Sequence, residues 1–148
     1  MISTMNDAAL KCSEEILATG ASFPRLFVGF DLVQVSHIAH SISQFGDRFT
    51  RRLFTQNELD YASGGESALC ERLAARFAAK EATIKALGLS DVGIGWRDIE
   101  VQRMEHGGCQ ILLHGRAADV AHAKTVSQIA LSLSHDGDYA GAFVTVVC

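Results

Sequence analysis

The apolar positions along the chain change their period from segment to segment, and each change predicts an element. Residues 26 to 35, LFVGFDLVQV, are almost continuously apolar, with Gly29, Asp31 and Gln34 as the exceptions. A run of this length and β-branched content predicts a buried strand. From His37 the spacing becomes helical: Ile38, Ile42 and Phe45 recur on one face, Ser36 stands where an N-cap belongs, and Gly46 stops the helix. A basic stretch, Arg48, Arg51 and Arg52, comes next. Thr55 and Glu58 then form the two ends of a capping box, in which a hydroxyl and a carboxylate satisfy free amides at a helix start. That short helix is expected to end near Gly64 and Gly65.

Residues 67 to 87, SALCERLAARFAAKEATIKAL, carry the strongest helical pattern and are closed by Gly88. At about 100° per residue, Leu73, Phe77, Ile84 and Leu87 fall on one arc and a series of alanines on a second. An alanine face lets another backbone approach closely, so this helix is expected to run through the middle of the domain, with Glu81 and Lys85 on the seam between the arcs. Trp96 to Met104 and Cys109 to Leu113 predict a hairpin turning at Gly107 and Gly108. A short helix over 117 to 123 and two strands around an Asp136, Gly137 turn complete the pattern. One strand, then helices, then mostly strands indicates an α+β fold with a central long helix on a mostly antiparallel sheet. The organisation expected is an N-terminal appendage over 1–24, set off by the only proline, Pro24, and a single domain over 25–148.

Composition narrows the function. With 148 residues, 48% of them apolar and 20% charged, the chain is neither a disordered tail nor a disulfide miniprotein. Thirteen basic against 17 acidic residues give a net charge of −4, which argues against a nucleic-acid partner or an anionic lipid surface. Charges break every apolar run before the roughly 20 residues that a membrane span needs. Asp7, Lys11, Glu14 and Glu15 interrupt the first twenty residues, so a secretion signal is not expected. Cys12, Cys70, Cys109 and Cys148 are too scattered for a zinc site and read as free thiols, which suits the cytoplasm.

The chemistry centres on charges in apolar settings. An ionised Asp31 inside a hydrophobic strand costs several kcal/mol unless a cation pairs with it. That pairing can be a salt bridge, or it can be metal or substrate binding. Glu81 on the long helix poses the same question, and an i,i+4 pair with Lys85 contributes only about 0.5 kcal/mol by itself. Asp31 and Glu81 from separate elements, with Arg76, Lys80 and Lys85 on one helix, would suit a clamp for magnesium and phosphates. Gly88, Gly93 and Gly95 match neither a phosphate-binding loop nor a dinucleotide fingerprint and read as turn glycines. Ser134 and His135 leave a strand together without a nucleophile elbow around the serine, which disfavours a hydrolase triad. Asp136 and Asp138 are expected to form a turn.

Five segments together resemble the holo-acyl-carrier-protein synthase type of 4'-phosphopantetheinyl transferase over roughly residues 26 to 147: VGFDLVQV, RFTRRLFTQNEL, LAARFAAKEATIKALG, WRDIEV and LSLSHDGDYAGAFV. The resemblance implies transfer of the 4'-phosphopantetheine arm from coenzyme A to a serine of an apo acyl carrier protein, with release of adenosine 3',5'-bisphosphate. It implies magnesium on Asp31 and Glu81, Lys85 at the reacting phosphates, and Arg76, Ser134 and His135 at coenzyme A. It also implies a homotrimer with active sites between subunits.

Two positions depart from the family pattern: Gln34 stands where glutamate is usual and His37 where arginine is usual. They motivate a competing expectation, a non-catalytic carrier-binding or coenzyme A-binding paralogue. A third, a metal-dependent phosphohydrolase, would consume coenzyme A without any carrier. Arg48, Arg51 and Arg52 are the local positive surface expected to meet an acidic carrier, unless one of them is spent on Asp47 or Glu58.

Overall fold

A computed structural model describes residues 24–64 and 66–148. Strand β1 (Leu26–Gln34) leads into helices α1 (Val35–Phe45), α2 (Asp47–Leu53), α3 (Gln56–Ala62) and the long α4 (Glu66–Leu87). A 3₁₀ turn (Trp96–Asp98), strands β2 (Ile99–Arg103) and β3 (Cys109–Leu113), helix α5 (Gly115–Ala123), and strands β4 (Gln128–Asp136) and β5 (Tyr139–Val147) follow. The α+β class expected from the pattern is the one observed. Apart from Pro24, the expected N-terminal appendage lies outside the described residues, as do Cys12 and Gly65.

β1, β5 and β4 form an antiparallel sheet in that order, and β2 pairs with β3 in a separate hairpin. The alanine face of α4 crosses the sheet: Ala78, Ala79, Ala82 and Ala86 are buried with Ala142, Val144 and Val146 of β5. Gly29 marks the closest approach. A Cβ built there would lie 2.8 Å from the carbonyl carbon of Ala82 and 2.9 Å from the amide nitrogen of Ala86, inside the contact limit of real side chains. The apolar run of β1 is therefore interrupted where strand and helix backbones touch. A second apolar cluster, with Ile38, Phe54, Leu73 and Ala140, joins α1 and α3 to the other end of α4.

Four expectations need correction. The strand over 26 to 35 is not buried on both faces: Val28, Phe30 and Leu32 point away from α4 and are each 56% exposed, and Phe143 beside them on β5 is 45% exposed. Ser36 does not cap α1, because the helix already begins at Val35. Its amide and hydroxyl instead donate to the two carboxylate oxygens of Asp138, at 2.8 and 2.6 Å. Asp138 is thus more than a turn former. Its carboxylate satisfies a free helix-start amide from 102 residues away, and these bonds hold it below its usual proton affinity. Trp96 to Asp98 form a 3₁₀ turn in place of the first residues of the expected strand, since the Asp98 carboxylate accepts from the Gly95 amide at 2.9 Å and closes the turn.

Candidate active site

The strand pleat turns Asp31 toward α4, on the same face as Gly29 and opposite to Phe30. There the Lys85 ammonium donates to Asp31 Oδ1 at 2.7 Å and to the Phe30 carbonyl at 2.9 Å. This is the cation that Asp31 requires. The side chain of Asp31 is 18% exposed and that of Lys85 50%, so the pair sits at the edge of the core and meets solvent on one side. Glu81, one helical turn before Lys85, is half-buried. Burial first and the Asp31 carboxylate second raise its proton affinity, while Lys85 opposes both. Glu81 also lines a cleft whose walls include Ile84, Leu89, Gly93, Ile94 and Trp96. Asp31, Glu81 and Lys85 are therefore brought together.

Arg76, Ser134 and His135 are brought together elsewhere. Five residues along α4 correspond to about 7.5 Å of rise and about 140° of rotation, so Arg76 faces away from Glu81. With Ser134 and His135 it lines a second cleft of about 410 Å³, beside Tyr61, Arg72 and Arg103. Arg76 is almost completely buried at 3% exposure. Its guanidinium carbon lies 4.2 Å from the centre of the Tyr61 ring and its Nη1 donates to the Arg72 carbonyl at 3.2 Å. Nε and Nη2 have no partner among the described residues. Burial lowers its proton affinity, against the raising influence of Cys109, Glu58 and Tyr61. Unpaired donors on a buried cation are costly unless an anion accepts from them. Ser134 and His135 also border an apolar depression floored by Phe30, Leu32, Gly141 and Phe143, on the exposed face of the sheet.

Lys80 is where the structure departs from the sequence reading of a phosphate clamp. It is fully buried and pairs with the equally buried Glu58 at 2.9 Å, so its charge is not presented to any ligand in either cleft. The helical pattern concealed this, because a lysine beside Glu81 reads as solvated until its partner across α3 is known. Glu58 fills the capping box as expected: its carboxylate accepts from the Thr55 amide at 2.8 Å, and the Thr55 hydroxyl accepts from the Glu58 amide at 3.3 Å. The same carboxylate reaches Val101 and Lys80, which nothing in the sequence indicated. Among the described residues no three His, Cys, Asp or Glu side chains are grouped to hold a metal ion. Asp31 and Glu81 supply two carboxylates where β1 crosses α4. Such a set suits magnesium, which commonly takes one or two carboxylates and completes its shell with water and substrate phosphates.

A sheet crossed by an alanine-faced helix, with two carboxylates and a lysine at the crossing, is an arrangement shared with known proteins. The 4'-phosphopantetheinyl transferase superfamily matches residues 27–144, and the chain belongs to that superfamily. It is similar to the holo-[acyl-carrier-protein] synthase of Koribacter versatilis, with 45% identity over 120 residues, 80% of this chain and 95% of the relative. The corresponding synthase of Desulforudis audaxviator is 43% identical over 122 residues, 82% of this chain and 92% of the relative. Among solved structures, the ACPS–CoA complex of Chronobacterium ammoniagenes superposes with a TM-score of 0.73 at 32% identity, over 82% of this chain and 96% of that one. The Helicobacter pylori holo-[acyl-carrier-protein] synthase in complex with coenzyme A gives 0.68 at 26% identity, over 80% and 98%.

Proposed function

We propose that the chain moves the 4'-phosphopantetheine arm of coenzyme A onto a serine hydroxyl of an apo acyl carrier protein, leaving adenosine 3',5'-bisphosphate. The observation that carries this reading is the meeting of Asp31, Glu81 and Lys85 where β1 crosses α4. Asp31 and Glu81 would hold magnesium, which when bound would supply charge neutralisation at the pyrophosphate. The carrier hydroxyl is a weak nucleophile. Glu81, with its raised proton affinity, is the side chain suited to take its proton as the new oxygen–phosphorus bond forms. Lys85 is half exposed and able to turn from Asp31 toward the leaving phosphate oxygen, where an ammonium group offsets the growing charge. The unpaired Nε and Nη2 of Arg76, beside Ser134 and His135, suit a phosphate of coenzyme A.

The two clusters lie on different faces of α4, and one of them borders the exposed apolar face of the sheet. Three copies closing over Val28, Phe30, Leu32 and Phe143 would bury that face and bring one copy's Arg76 cluster toward another's Asp31. We therefore read the active enzyme as a homotrimer with sites between subunits. Light scattering at micromolar concentration is expected to give a trimer mass, and Phe30→Lys is expected to give a monomer without transfer activity. A monomer mass in active parent protein would overturn the assembly.

Cytoplasmic residence fits the free thiols of Cys70, Cys109 and Cys148. No helix among the described residues is long and apolar enough to cross a membrane. The transfer itself is tested by incubating the protein with an apo carrier, coenzyme A and magnesium and weighing the carrier. A carrier heavier by one 4'-phosphopantetheine group is the expected product. Coenzyme A consumed with no carrier present would favour a phosphohydrolase, and binding without transfer a non-catalytic paralogue.

A further inference from the structure

Every proton of the Lys80 ammonium group has a partner. It donates to Glu58 Oε2 at 2.9 Å, to the Trp96 carbonyl at 3.1 Å and to the Ile99 carbonyl. Glu58 is just as fully engaged, accepting from the Thr55 amide at 2.8 Å and the Val101 amide at 2.9 Å. The start of α3, the middle of α4, the 3₁₀ turn and β2 therefore meet at one buried pair. Burial lowers the proton affinity of Lys80, and Glu58 and Glu100 act in the opposite direction. A pair of this kind adds little stability over apolar residues of equal volume, because desolvation cancels most of the attraction. Its distinctive contribution is direction, since each bond holds only near its own angle and length.

Glu81 follows Lys80 directly, and its side chain leaves the helix about 100° further round. Trp96 lines the same cleft. Trp96 is held from α4 at two points: its carbonyl rests on Lys80, and its indole stacks on Phe77 with ring centres 5.1 Å apart and planes at 27°. The Lys80 bonds thus tie the turn of α4 that carries Glu81 to the segment that carries Trp96.

We propose that Lys80, anchored by Glu58, is a positioning residue that holds Trp96 and the turn of α4 carrying Glu81 at the spacing the cleft requires. The inference rests on the proposed role of Glu81 for its catalytic consequence, but the placement of Trp96 can be read without any activity. Trp96 is the only tryptophan in the chain, so tryptophan emission reports this wall alone.

The test is the Lys80→Met, Glu58→Gln double variant, which removes both charges and nearly conserves volume. It is expected to unfold cooperatively, to lose about tenfold or more in kcat, and to keep its KM for coenzyme A within about threefold. Its Trp96 emission is expected to move to longer wavelength, with stronger quenching by acrylamide. Glu58→Gln alone is expected to shift kcat and emission the same way by a smaller amount, and it decides the matter if the double variant does not fold. A folded variant with parental kcat and parental emission overturns the proposal. So does a lowered Tm with kcat and emission unchanged, the mark of a merely structural pair. A parent protein that transfers nothing would sink the proposed function and leave the emission change to judge the positioning.

Discussion

The Nζ of Lys85 lies 2.7 Å from Oδ1 of Asp31, joining the first strand to the last turn of α4 across 54 residues of sequence. The contact offsets the cost of an aspartate in an apolar strand and places a half-exposed cation beside the carboxylates. Because Asp31 is only 18% exposed, removing Lys85 would leave a largely buried carboxylate without its cation. Lys85→Ala is therefore expected to lower kcat about a hundredfold or more and to lower the unfolding free energy by about 1–3 kcal/mol. Turnover assays and urea titrations on the same preparation check the two halves separately.

Gly29 is the position most sensitive to a single methyl group. Gly29→Ala places a Cβ against the Ala82 carbonyl and the Ala86 amide, where both neighbours are helix backbone and cannot turn aside. A loss of about 3 kcal/mol or more is expected, and denaturant unfolding measures it.

How much of this was legible in the sequence depended on the range of the contacts involved. The capping box at Thr55, the Gly46 and Gly88 stops, the hairpin turn and the alanine face are local or periodic, and each stands as expected. Asp31 announced its need for a cation by its setting alone. Lys80 could not be read correctly, because its partner Glu58 lies on another helix and the two carbonyls it binds lie beyond α4. Ser36 misled in the same way: its true partner, Asp138, arrives from the far end of the chain. The exposed face of β1 was hidden because a strand with one apolar face open and a strand buried on both faces carry the same apolar residues.

Glu81 gives the site a stability signature in pH. Its folded-state proton affinity is raised above the ordinary value of 4.5 by burial and by Asp31. A carboxylate shifted this way stabilises the fold below the unfolded value and loses that contribution as pH rises through the folded value. Without divalent metal, Glu81→Gln is therefore expected to be more stable than the parent at neutral pH, with the advantage vanishing below about pH 4.5. Thermal unfolding of both proteins across that range measures the crossover.

The basic helix α2 supplies the test of carrier docking. Arg51 pairs with Asp47 at 3.5 Å, but with side chains 70% and 84% exposed the pair holds little of its charge. Glu58, the other carboxylate considered as a partner for this cluster, is committed to Lys80. Arg48→Glu or Arg51→Glu is expected to raise KM for an acidic carrier about tenfold with KM for coenzyme A unchanged, and the parent KM for carrier should climb steeply with salt. Equal changes for both substrates would place docking elsewhere.

The most direct measurement is the intact mass of an apo carrier after incubation with coenzyme A, magnesium and either the parent protein or its Asp31→Ala and Glu81→Ala variants. The parent is expected to add one 4'-phosphopantetheine group per carrier and to release one adenosine 3',5'-bisphosphate. Each folded variant is expected to be slower by about a hundredfold or more, because it lacks one of the two carboxylates proposed to hold magnesium. A carrier that stays at its apo mass with the parent, or gains the group at the parental rate with either variant, would contradict the account.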